Sequence, residues 1–161
     1  MEQLKNFKSS HLHEKLRLND NDFDAWLKEL GLLHEKRTCN KCGGRTTIKH
    51  KKCLRFGTWR CSMMNCRAER GYLTGTFFQG THLTTKQIFH LSFLWTRQFG
   101  NYADLEFEIG IGRNALQKWL NSFKNVCAMF CARNHIGGRG NLLLWSRRSS
   151  MKTYTTKIYN F

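Results

Sequence analysis

Four cysteines stand in two close pairs. Cys39-Asn40-Lys41-Cys42 is followed, eighteen residues on, by Cys61-Ser62-Met63-Met64-Asn65-Cys66. A pair separated by two to four residues can curl into a tight knuckle that turns both sulfurs toward one tetrahedral metal ion, and two knuckles close its shell. Gly43 and Gly44 follow the first pair, as such a turn prefers. Core cysteines or a disulfide frame would not need this spacing. Met1-Glu2-Gln3-Leu4-Lys5 opens no secretory signal, so a reducing compartment is expected, where cysteines act as metal ligands and spare thiols. The spacing therefore predicts one structural zinc per chain, on Cys39, Cys42, Cys61 and Cys66. A closed four-sulfur shell leaves no position for water, which argues against catalysis at the metal. His50 and Cys53 lie away from either knuckle and are expected to be bystanders.

The elements that must position these thiols are short. Between the pairs, Arg45 to His50 and Leu54 to Arg60 are rich in β-branched and aromatic residues and predict the hairpin of a zinc ribbon. Metal binding would supply most of the folding energy of so small a segment, about 10–16 kcal/mol apparent for isolated structural sites. Gly71 to His82 reads as a last strand and turn. Ahead of the ribbon, Asp22 is expected to cap an amphipathic helix with Phe23, Trp26, Leu27 and Leu30 on one stripe and Gly31 at its end. Behind it, Thr84-Thr85-Lys86-Gln87 has the spacing of a capping box. The helix that follows is expected to bury Ile88, Leu91, Trp95 and Phe99 and to stop at Gly100. A shorter helix starts at Asn101, with Tyr102, Leu105 and Ile109 on one face. After Gly110-Ile111-Gly112, a third helix is capped by Asn114 and buries Leu116, Trp119 or Leu120, Phe123, Cys127 and Phe130. Cys127 and Cys131 are expected to be core thiols. The fold class is thus α+β, a small zinc ribbon followed by a trihelical helix-turn-helix. The expected divisions are an N-terminal helical segment 1–36, the ribbon 37–81, the helix-turn-helix 82–134 and a truncated or divergent basic tail 135–161.

A net charge of +16 and a pI near 10.0 in 161 residues point to a polyanionic partner, usually nucleic acid. Charge position narrows this. Residues 39–71 carry nine bases against the single acid Glu69, and after Glu108 there are nine Lys and Arg and no acid. No apolar run approaches a membrane span. On the third helix Arg113, Asn114, Gln117, Lys118, Asn121, Lys124 and Asn125 fall on one side. Asn and Gln can pair bidentately with adenine and Arg with guanine, while Lys neutralises phosphate. Duplex DNA is the expected partner, with Lys49, Lys51, Lys52 and Arg55 of the ribbon anchoring its backbone; self-association is left open. Because a basic ribbon alone does not separate RNA from DNA, an RNA- or ribosome-associated zinc protein is the alternative.

The order of parts is specific: an amphipathic helix, a Cys-x2-Cys and Cys-x4-Cys ribbon, Gly75-Thr76-Phe77-Phe78, a helix-turn-helix, then Ile136-Gly137-Gly138-Arg139-Gly140. Over roughly residues 20–141 it resembles the Merlin superfamily of DNA transposons and the related bacterial insertion-sequence transposases. The resemblance implies that ribbon and helix-turn-helix hold the transposon end. It also implies a following ribonuclease-H-like domain whose first strand carries a catalytic carboxylate in a Val-Glu-Ile-Asp-Glu pattern. Here that stretch reads Leu142-Leu143-Leu144-Trp145-Ser146-Arg147-Arg148. Strand transfer needs acidic oxygens to hold two divalent cations, so no enzymatic activity is expected of this chain unless another chain supplies the acids. The twenty residues that remain are too few to build the domain. The change after Asn141 is expected to reflect a frameshift, a mispredicted exon or a domesticated C-terminus. A transposase-derived protein of a eukaryote would act in the nucleus, and one of a bacterium in the cytoplasm.

Overall fold

The computed structural model describes residues 4, 6–51 and 54–133 and, at 51, 54 and 55, the backbone alone. Within these residues the chain is α+β: helices α1 (Ser9–Arg17) and α2 (Asp20–Glu29), strands β1 (Thr46–Lys51), β2 (Leu54–Cys61) and β3 (Glu69–Gly71), then helices α3 (Thr85–Thr96), α4 (Tyr102–Ile109) and α5 (Arg113–Arg133). It divides into two compact units, a sheet unit spanning Leu18–Leu83 and a helical unit that joins Met1–Arg17 to Thr84–Phe161. The expected N-terminal segment 1–36 is therefore split. Its first helix, α1, belongs with the C-terminal helices, and only α2 belongs with the sheet. The expected tail 135–161 lies outside the described residues.

In the sheet unit the strands pair antiparallel in the order β1-β2-β3. Thr46 faces Cys61 and Lys49 faces Thr58, and the register shifts between Lys49 and Lys51. The third strand, Glu69–Gly71, comes earlier than expected. Of the Gly71 to His82 stretch read as a last strand and turn, only Gly71 lies in the strand, and Tyr72 to Gly80 fold as consecutive turns in which Gly75 and Gly80 take positive φ. The core is aromatic. The Tyr72 ring stacks on Phe56 at 5.5 Å and on Trp59 at 5.3 Å. Its hydroxyl donates to the His34 carbonyl at 3.1 Å, and the Trp59 indole donates to the Tyr72 carbonyl at 3.2 Å. Both polar tips are thus satisfied while the rings stay buried, as large amphipathic side chains require.

Helix α2 buries the expected stripe of Phe23, Trp26, Leu27 and Leu30 in this unit. Its cap is Asn19 rather than Asp22. Asn19 holds an extended backbone, its side-chain oxygen accepts from the Asp22 N–H at 2.9 Å, and its amide donates to the Asp22 carboxylate at 2.7 Å. Asp22 is the third helical residue, placed to answer the cap rather than to be it.

In the helical unit, Thr84 and Gln87 form the capping box read from the sequence, and a second box joins Asn101 to Asp104. The Gln87 amide also donates to the Ile109 carbonyl at 3.3 Å, tying the start of α3 to the end of α4. Helix α3 buries Ile88 and Leu91 as expected, and also Phe89, Phe93 and Leu94. Its apolar surface is wide because Phe7 packs on Phe89 and Phe93 from the other side. Trp95 is half-buried, and Phe99 is 58 % exposed rather than part of the stripe. The helix ends at Thr96 and Gln98 turns left-handed, so the helical period no longer governs Phe99. Left-handed Gly110 closes α4, as glycine does at helix C-termini. Helix α5 starts at Arg113, making Asn114 its second residue and not its cap. It buries Leu116, Leu120, Phe123 and Cys127, with Trp119 and Phe130 half-buried.

Candidate metal centre and basic helix face

Two knuckles stand at the open end of the hairpin, one just before β1 and one at the end of β2, where Thr46 pairs with Cys61. In the first, the Gly43 N–H donates to the Cys39 carbonyl and the Cys39 N–H to the Gly44 carbonyl, both at 2.8 Å, with Gly43 left-handed at φ 69°. In the second, the N–H groups of Cys66 and Arg67 both donate to the Met63 carbonyl at 3.1 Å, and Arg67 itself turns left-handed. The clash of Cβ with the backbone makes that conformation unfavourable for arginine, and no sequence signal announces it. The knuckles approach closely: a Cβ on Gly44 would stand 2.6 Å from Met63 Cγ and 3.3 Å from Cys42 Sγ.

The result is a compact cluster. The Sγ atoms of Cys39, Cys42, Cys61 and Cys66 all lie within 4.8 Å of one another, with Cys39 to Cys66 at 3.7 Å and Cys42 to Cys61 at 3.5 Å. A tetrahedral ion with sulfur bonds of about 2.3 Å would set its sulfurs about 3.8 Å apart. These residues can therefore hold a metal ion, and they are the four the spacing singles out. His50 is not in the cluster, and Cys53 lies outside the described residues.

At Cys39 the backbone favours the ionised sulfur. N–H groups of Cys42 and Lys41 aim at Cys39 and bring its pKa down to about 6. At Cys42 the Gly44 N–H acts in the same direction, but Cys61, burial and Cys39 together carry it above the ordinary thiol range. Cys66 is likewise raised, the Ala68 N–H being outweighed by Cys42 and by burial. Thiolates this close repel, so their joint ionisation calls for a cation between them. Cys127 is different: burial pushes it up to about 11, as suits an inert core thiol.

The face of α5 is the second feature. Asn114, Gln117, Lys118, Asn121, Lys124 and Asn125 are all exposed, and the helix has no acidic residue along its 21 positions. Arg113, expected beside them, is engaged elsewhere. Its guanidinium donates to both carboxylate oxygens of Glu106, at 2.8 and 3.3 Å, and lies 5.8 Å from the centre of the Tyr102 ring. The hydrogen bonds from Arg113 hold the Glu106 carboxyl below its usual range. Glu106 was not among the sequence-derived site residues; its place seven positions before Arg113, across a glycine turn, is the signal that could have found it.

In the sheet unit, Lys49 lies 4.0 Å and Arg60 3.8 Å from Glu69. Lys52 and the side chains of Lys51 and Arg55 lie outside what is described. No helix among the described residues is long and apolar enough to cross a membrane. Compared with protein-family models, with curated proteins and with solved structures, the chain matches none.

Proposed function

We propose that this chain is a duplex-DNA-binding protein, with a zinc ribbon in its sheet unit and a helix-turn-helix formed by α3, α4 and α5. We read it as derived from a Merlin-type transposase and as lacking strand-transfer activity of its own. Zinc is the ion that four thiolates in a tetrahedral shell favour. One observation carries the binding reading, the two-sidedness of α5. One side is buried through Leu116, Leu120, Phe123 and Cys127, while the other exposes amides and lysines with no acid among them. A helix fits the major groove of B-DNA, where amides read base edges and lysines meet phosphate. Catalysis is not proposed because Leu142 to Arg148, where the resemblance implies the first catalytic carboxylate, hold no Asp or Glu, and two-metal chemistry is built on acidic ligands.

The test is a titration of the zinc-loaded chain against a selected duplex, a scrambled duplex and an RNA duplex at several salt concentrations. Gln117→Ala and Asn121→Ala should each lose about 1–3 kcal/mol on the selected site and relax its preference. Lys124→Ala should weaken all duplexes alike and lower the salt slope by about one. Stronger binding of RNA than of any DNA duplex, or unchanged affinity and preference in both amide variants, would sink the reading.

A further inference from the structure

Resting on the DNA-binding reading of α5, we infer that its target is read chiefly at adenine-bearing base pairs, by a line of carboxamides flanked by two phosphate-binding lysines. At about 100° per residue, Asn114, Asn121 and Asn125 fall within about 40° of one another around the helix, with Gln117 beside them. Lys118 and Lys124 fall on opposite sides of that line, about 120° apart. All six side chains are exposed. A helix lying in the major groove has a phosphate backbone along each flank and base edges beneath its centre. Lysines to either side and amides in the middle match that cross-section.

Guanine is most often read by the bidentate fork of arginine. The arginine nearest this face, Arg113, already gives that fork to the Glu106 carboxylate, with the Tyr102 ring beside it. Arg133, at the far end of α5, is about 12 Å along the axis beyond Asn125. What remains on the central line is carboxamide, and a carboxamide offers one donor and one acceptor to match adenine N7 and N6. Arg113 is then a positioning residue that braces the turn between α4 and α5, and the bases are left to the amides.

The experiment is a selection of the zinc-loaded full chain on a random duplex library, followed by single-atom changes in the selected site. Two or more A·T pairs should be enriched at adjacent positions. Replacing their adenines with 7-deazaadenine, which removes the N7 acceptor, should weaken binding about tenfold at a contacted position, whereas 7-deazaguanine elsewhere in the site should change little. Arg113→Gln should leave the selected sequence the same. A selected site centred on guanines, sensitivity to 7-deazaguanine, or loss of a guanine preference in Arg113→Gln would overturn the inference and leave DNA binding standing. Failure to bind any duplex would overturn both.

Discussion

Gly57 shows how much one residue decides in so small a sheet. It sits in the middle of β2 with φ 69°, and a Cβ there would stand 2.6 Å from the backbone oxygen of Lys49 on the neighbouring strand. The register shift between Lys49 and Lys51 lies across from it, so the glycine lets the strands close at an irregular step. Gly57→Ala should destabilise the sheet unit by about 2 kcal/mol or more, since left-handed strain of about 1–2 kcal/mol adds to a backbone clash. Gly31→Ala is the control: its φ is 74°, but nothing lies within 4 Å of the added carbon, so strain alone should cost about 1 kcal/mol. Denaturant melts of the two variants compare them, and equal losses would mean the close approach at Gly57 is unimportant. From the sequence, Leu54 to Arg60 reads as a strand and the bulge does not, because it depends on a partner backbone eight residues away.

At the scale of elements, what was legible followed from side chains acting on near neighbours, and what was missed followed from distant ones. The capping box at Thr84, the stripe of α2 and the exposed face of α5 are local patterns, and each stands where the spacing put it. Helix α1 is nine residues long and buries Leu12 alone, so it carries too little period to be read. Near it on α3 stands His90, whose charge His13 of α1 feels, a half-buried imidazole whose Nε2 lies 3.9 Å from Glu108 on α4. Burial lowers the pKa of His90, Glu108 works to raise it, and His13 of α1 lowers it further. The folded unit therefore binds fewer protons here than the unfolded chain as pH falls below the ordinary histidine value of 6.5. Stability is then full above that value and declines as pH drops through the window beneath it. His90→Gln should flatten this part of the pH profile when unfolding is followed by the helical signal. A slope that survives the substitution would assign the effect to another group.

At the scale of the molecule, the two units depend on different forces. The helical unit rests on an apolar core drawn from α1, α3, α4 and α5, with Leu12, Ile88, Leu91 and Leu116 almost wholly buried. Among its described residues the sheet unit has one short helix, three strands and four thiols crowded within 4.8 Å. That thiol site was the most legible part of the chain because a tetrahedral shell dictates ligand spacing directly, whereas the split of the N-terminal helices between units depends on packing that no local pattern records. Removing the zinc proposed for that site should therefore act on one unit. Without it, mutual repulsion of the thiolates is uncompensated, and binding energy of about 10–16 kcal/mol apparent is lost, more than a unit of this size can replace. Under a strong chelator, amide protons of β1, β2 and α2 should lose exchange protection, while those of α3 and α5 keep it. Cys61→Ser should do the same without chelator, and Cys131→Ser, outside the thiol cluster, should not. Added zinc should restore the wild-type chain but not Cys61→Ser. Loss of protection in α3 and α5 on chelation would show that the helical unit needs the folded sheet unit, and full protection of β1 and β2 without metal would remove the structural role proposed for the four cysteines.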